Sequence, residues 1–234
     1  MNASASTQRL SKPKLSAVGI REWLDSLTPE QRRLMNEKAD EYEREQHRDK
    51  VRQRIDRAGI PNSFFGAKVE NVPELQGVDL ERNMLMLGAA GRGKTYAACA
   101  VAIARAEERT VRFATMADIL LDIQGTFGGA ASITDVADKY RNVALLVIDD
   151  FGKEKPTDYS IGQFFALLNS RINSGKQTIV TTNYTGRDLF ERLSQCGEAE
   201  TALAVVSRLG CSPDEDTGFQ QIRFNGKDRR VKHG

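Results

Sequence analysis

The chain has 234 residues, 40% of them hydrophobic and 28% charged, the balance of a soluble globular protein with room for one substantial core and a small appendage. The formal net charge of +2 requires any nucleic-acid contact to come from local basic patches, and no apolar run approaches the roughly 20 residues that span a bilayer. Cys99, Cys196 and Cys211 are far apart without a C-x-x-C, and His47 and His233 lack companions at metal spacing, which argues against a zinc site and for free thiols in a reducing, cytoplasmic setting.

No acidic residue precedes Glu22, so the opening has the composition of an organellar transit peptide, but Pro13 breaks any amphipathic helix there. Residues 1–18 read more simply as a disordered basic tail. Ile20, Trp23, Leu24 and Leu27 then fall at helical spacing and make one apolar stripe. Thr28-Pro29-Glu30-Gln31 is a helix start, with Thr28 as N-cap, Pro29 at the first helical position and Gln31 closing a capping box. The helix it opens is expected to run to about Arg57, mostly charged, as a solvated helix or as an arm that docks on a partner; residues 19–57 form this unit. Gly59 and Pro61 end it, and the remainder, 58–234, is a second domain.

From Asn83 onward, apolar strands alternate with helical segments, the pattern of a parallel sheet covered on both faces. The expected strands are Met84 to Leu87, Thr110 to Ala114, Leu145 to Ile148, Thr178 to Thr181 and Phe219 to Phe224. Helices are expected from Tyr96 to Glu107 and from Ile119 to Gln124, with a further one capped by Ser132-x-x-Asp135.

Between the first strand and the first of these helices stands Gly88-Ala89-Ala90-Gly91-Arg92-Gly93-Lys94-Thr95, followed by Tyr96, which fits G-x-x-x-x-G-K-[ST] at every fixed position. In a strand–loop–helix setting, the glycines allow backbone N–H groups to converge on phosphate at a helix N-terminus. Lys94 then reaches the β- and γ-phosphates of ATP, and Thr95 ligates Mg²⁺. Leu145 to Ile148 delivers Asp149 and Asp150 at a strand end, Asp149 as a metal ligand and Asp150 as the group that polarises water, with Glu154 as second choice. Asn183, after Thr178 to Thr182, emerges near the γ-phosphate if the fourth strand lies beside the first.

The order of GAAGRGKT, LLVIDDFGKE, FFALLNSRINSGKQTIVTTN and VVSRLG resembles the AAA+ ATPases of the DnaC, DnaI and IstB group, bacterial helicase loaders and transposition ATPases. RAGIP, from Arg57 to Pro61, is similar to the short segment before their ATPase core, so the resemblance covers about residues 54 to 232. It implies an α/β AAA+ P-loop fold, with a five-stranded mostly parallel sheet and no C-terminal helical lid, behind a small helical arm. It also implies an ATPase that self-associates as a hexamer or helix and contacts single-stranded DNA, a replicative helicase or a transposase. By motif, Lys94 and Thr95 bind phosphate and Mg²⁺, Asp149 and Asp150 are the Walker B acids, Asn183 is the sensor and Arg208 the arginine finger. Arg171 also matches a family arginine.

Three departures stand out. Asp150 occupies a place where many AAA+ proteins have Glu, and Arg229 replaces the tyrosine of a terminal G-x-D-Y-R pattern. No cysteine precedes Cys99, so the zinc-bearing N-terminal module of DnaI-type loaders is missing, and the arm looks closer to DnaC or to a phage or mobile-element version. For single-stranded DNA the sequence offers Phe127 in a Gly-rich loop with Lys139, Tyr140 and Arg141 nearby. Two other classes compete: a small-molecule P-loop kinase, which leaves Asn183 and Arg208 without tasks, and a nucleotide-dependent adaptor, which does not need the intact Lys94, Thr95 and Asp149 set.

Overall fold

The computed structural model describes residues 23–125, 133–196, 199–211 and 219–229, so the basic tail, the apolar position Ile20, Phe127 with its Gly-rich loop and the Ser132 cap lie outside the described residues. The chain divides into two units, Met1–Asp49 and Lys50–Gly234. Helix α1 (Pro29–Ala58) opens in the first and closes in the second. The unit boundary falls within this helix, ahead of Arg57, because Ile55 and Ala58 pack into the core of the second unit.

In the first unit the predicted capping box is present. The Thr28 N–H donates to Gln31 Oε1 at 3.0 Å and the Gln31 N–H to Thr28 Oγ1 at 3.2 Å. Trp23, Leu34 and Tyr42 are exposed along this segment, and the helix carries mixed charges on every face.

In the second unit five strands, β1 (Asn83–Leu87), β2 (Val111–Thr115), β3 (Leu145–Phe151), β4 (Gln177–Thr182) and β5 (Phe219–Arg223), pair in parallel in the order β2-β3-β4-β1-β5. Alternate residues of each strand supply opposite faces, as the two-residue pleat dictates. Met84, Met86, Leu145, Val147 and Ile179 face α2 (Lys94–Ala106), whose Ala97, Ala98, Val101 and Ala102 are small enough to let the helix lie close on the sheet. Leu85, Leu87, Leu146, Ile148 and Val180 face the other way, into a core shared with α3 (Met116–Gln124), α5 (Asp158–Asn173), α6 (Gly186–Leu193) and α7 (Ala199–Val206). Helix α4 (Ile133–Arg141) leads into β3 and contributes Val136 and Tyr140 to that core.

Two details place the chemistry. Leu87 pairs with Thr182, so the loop after β1 and the residue after β4 leave the sheet side by side. Along β3 and β4, Ile148 pairs with Val180 but Phe151 with Thr182, which leaves one extra residue on β3 at the Asp149-Asp150 step. That bulge turns Asp150 to φ 55°, the left-handed region that a non-glycine residue enters only at a cost of about 1–3 kcal/mol.

Candidate nucleotide-binding site

The loop between β1 and α2 is shaped by close approach. Gly88 has φ 148°, and a Cβ there would sit 2.4 Å from the carbonyl oxygen of Phe224. Only glycine allows β5 to run this near to the loop. Gly93 caps α2 in the left-handed region, which turns the first N–H groups of the helix toward the loop.

Lys94 is buried and fixed. Its Nζ donates to the carbonyl oxygens of Gly88 at 2.7 Å and Ala89 at 3.0 Å and to Oδ1 of Asn183 at 2.7 Å. The predicted neighbourhood of loop and Asn183 is therefore a direct contact. Thr95 Oγ1 lies 3.1 and 3.2 Å from the two carboxylate oxygens of Asp149. Behind Asp149, Thr181 Oγ1 donates to Oδ1 at 2.6 Å and accepts from the Asp150 N–H at 2.9 Å, so the bulge and the fourth strand are tied through one hydroxyl.

Burial pushes the Asp149 carboxyl above its ordinary value and the charge of Asp150 adds to the rise, against hydrogen bonds from Thr181 and Thr95 and the positive charge of Lys94. A desolvated carboxylate beside a hydroxyl is a hard oxygen pair with a deficit of positive charge, which fits a Mg²⁺ site. Asp150 points its carboxylate outward to Lys153, Oδ2 to Nζ 2.8 Å. Both line a cavity of about 620 Å³ together with Ala90, Gly91, Gly93, Lys94, Thr95, Tyr96 and Asn183. Glu154, whose carboxyl is raised by burial, is not among the lining residues, so Asp150 is the better placed of the two acids.

The far end of the cavity was not anticipated from the sequence. Phe64 stands edge-on to Tyr96, with ring centroids 6.4 Å apart at 80°, and Asn71 reaches the Tyr96 hydroxyl at 3.4 Å. These residues come from short 3-10 turns, Asn62–Phe64 and Val69–Asn71, which carry no hydrophobic periodicity. Arg229 also lines the cavity. In the sequence it stood out only as the residue that replaces tyrosine in the terminal G-x-D-Y-R pattern, with no role in the site attached.

Three other expectations meet different fates. Arg208 stands outside the cavity, in a turn from Ser207 to Cys211, where Nε donates to Asn169 Oδ1 and the guanidinium lies 4.7 Å above the Phe165 ring. Arg171 is fully buried and serves the fold. It donates to the carbonyl oxygens of Tyr140 at 2.8 Å, Val143 at 2.9 Å and Gln177 at 2.5 Å and to Thr178 Oγ1 at 2.9 Å. Tyr140 does not serve as a stacking platform, because it is 3% exposed with its hydroxyl on Asp122, and Lys139 pairs with the same carboxylate at 2.6 Å.

Among the described residues no helix is long and apolar enough to cross a membrane, and no cluster of His, Cys, Asp and Glu forms a metal centre of its own.

The chain is similar to known proteins in sequence and in fold. A relative named as an ATP-binding protein in an insertion sequence of Mycobacterium tuberculosis is 28% identical over 119 residues, 50% of this chain and 47% of the relative. The chain thus spans about half the length of that curated relative. Among solved structures, the DnaC helicase loader superposes with a TM-score of 0.54 at 18% identity, over 70% of this chain and 100% of that one. DnaI gives 0.57 at 16% identity over 72% and 96%, and AMPPCP-bound DnaA from Aquifex aeolicus 0.55 at 17% over 74% and 53%. These likenesses establish an AAA+ fold. The family model of IstB-like ATP binding proteins matches residues 61–212, which takes in the phosphate loop, both acids, Asn183 and Arg208, and the chain belongs to that family.

Proposed function

We propose that this chain is an ATPase that acts at subunit interfaces to load a replicative hexameric DNA helicase onto single-stranded DNA. The observation that carries the ATPase reading is the meeting of Lys94, Asn183, Thr95 and Asp149 at the C-terminal ends of adjacent strands. On this reading Lys94 leaves the loop carbonyls for the β- and γ-phosphates, and Asn183 orients the γ-phosphate and the attacking water. Asp150 exchanges its ion pair with Lys153 for the proton of that water. A Mg²⁺ ion held by Thr95 and Asp149 would neutralise charge on the phosphate oxygens. Phe64 and Tyr96 offer an apolar wall for the base.

The helicase is proposed as partner because a long polar helix, with Trp23, Leu34 and Tyr42 exposed along its segment, precedes the family-matched region and suits a docking arm. The insertion-sequence relative favours a second reading, in which a transposase takes that place. For DNA, a cavity of about 540 Å³ lined by Lys50, Arg54, Arg57, Arg112 and Lys139 supplies basic side chains on the second unit. Arg208, outside its own cavity, would exchange its contacts with Asn169 and the Phe165 ring for a neighbour's site.

The test measures ATP turnover alone, with single-stranded DNA, with a hexameric helicase and with the transposase of a related insertion sequence. Stimulation by helicase with DNA supports the loader; stimulation by transposase alone moves the assignment to transposition. No turnover under any condition, with ATP still bound, leaves an adaptor and removes the ATPase.

A further inference from the structure

Beyond β5 the chain returns to the phosphate loop. The Phe224 N–H donates to the Leu87 carbonyl at 2.8 Å, and after Gly226 the Arg229 N–H donates to the Gly91 carbonyl, also at 2.8 Å. The contact is tight along its length. A Cβ on Gly91 would fall 2.2 Å from Asp228 Oδ1, and one on Gly93 would fall 2.9 Å from Arg229 Nη1 and 3.1 Å from its Cδ. The Arg229 side chain therefore lies across the N-cap of α2, and it borders the nucleotide cavity.

A second residue holds it there. Arg229 Nη2 donates at 2.5 Å to Oε1 of Glu74, from the 3-10 turn Pro73–Leu75, while the other oxygen of Glu74 is buried without a hydrogen-bond partner. An exposed ion pair contributes little, and a buried carboxylate oxygen without a donor is a cost. The pair is better explained by what it positions. It fixes a planar cation, with Nη1 against Gly93, beside a helix N-terminus and loop amides whose partial positive charge would attract an anion.

We propose that Arg229 is a nucleotide-binding residue supplied in cis, its guanidinium contacting the diphosphate common to ADP and ATP, with Glu74 as the residue that positions it. This rests on the reading of the cavity as an ATP site. Because Arg229 stands where the pattern it resembles carries tyrosine, the extra charge is a property of this chain.

Titration calorimetry with ADP and with ATP, each with magnesium, tests it on the full chain. Arg229→Ala should weaken both nucleotides about tenfold, the size of one charge-assisted contact to phosphate. Arg229→Lys should recover most of that loss, and Glu74→Gln should weaken both by a few-fold while leaving the thermal midpoint of the empty protein near the parent value. Adding salt should weaken the parent more than Arg229→Ala, since the variant has one fewer charge to screen. Parent affinity in Arg229→Ala, or equal losses in the Ala and Lys variants, overturns the proposal. So does a loss confined to ATP, which would place the guanidinium at the γ-phosphate instead. If the parent itself binds neither nucleotide, the ATP reading fails first; if Lys94→Ala abolishes binding while Arg229→Ala does not, only the role of Arg229 falls.

Discussion

Lys94 Nζ donates to Asn183 Oδ1 at 2.7 Å, so the cation of the glycine-rich loop and the polar end of the fourth strand are joined directly. The same ammonium satisfies two loop carbonyls. Lys94→Ala removes the donor for all three oxygens, and we expect a loss of about 1–3 kcal/mol in stability together with the loss of tight ATP binding. Thermal melting with and without ATP reads both at once. The parent should melt higher with ATP and the variant should not; an unchanged ATP-induced rise in the variant would contradict the site.

Asp150, the proposed base, sits in strained backbone. Its φ of 55° is tolerated by Asn but opposed by a β-branched side chain. Asp150→Asn should keep the fold and ATP affinity within about threefold while turnover falls by about 10²–10⁴, the range for loss of a general base. Asp150→Val should also unfold more easily, by about 1–3 kcal/mol. Normal hydrolysis by Asp150→Asn, measured by phosphate release, would pass the role of base to Glu154.

Much of this site was legible because it follows one continuous pattern. A buried strand, a loop of fixed glycine spacing and a small-residue helix leave little freedom in where Lys94 and Thr95 point, and two apolar runs carry Asp149 and Asn183 to neighbouring strand ends. The bulge was hidden, since the extra residue at Asp149-Asp150 is defined only by its partner strand. Phe64, Asn71 and Lys153 were missed, and Arg229 was noted only as a departure from tyrosine, for a related reason: each reaches the cavity through a turn or terminal segment whose path depends on long-range contacts. Tyr140 reads as a surface aromatic beside Lys139 and Arg141, yet helix α4 turns it inward against Asp122.

Arg171 illustrates how a motif arginine can be structural. Its charge faces carbonyl oxygens at the C-terminal end of α4 and the start of β4 rather than a carboxylate, and burial lowers its pKa to about 10. Arg171→Met would strand several buried oxygens, and we expect a loss of about 3 kcal/mol or more, read by denaturant titration. Full stability with lost turnover would instead place Arg171 at an interface.

Cys99 lies in α2 beneath the sheet, fully buried, and desolvation with the nearby Asp149 charge pushes its thiol up to about 12. The folded protein keeps a proton that the unfolded chain releases above about pH 9. Stability from this group is therefore present below that pH and falls as pH climbs toward 12. A variant with Cys196 and Cys211 replaced by Ser should resist thiol reagents at pH 8 until it is denatured. Rapid labelling of the native variant would contradict the burial of this helix.

On the proposed function catalysis is completed between subunits, and mixing two inactive variants measures this directly. Arg208→Ala keeps the phosphate loop and should bind ATP like the parent, but it lacks the cation that stabilises the transition state, a contribution on the order of 10³ or more. Lys94→Ala keeps Arg208 but has no working loop. Neither should hydrolyse ATP alone at any concentration, whereas parent turnover should rise faster than linearly with protein. A mixture should regain activity at the shared interfaces, because each variant carries what the other lacks. A mixture that associates yet stays inactive would show that Arg208 does not act across an interface.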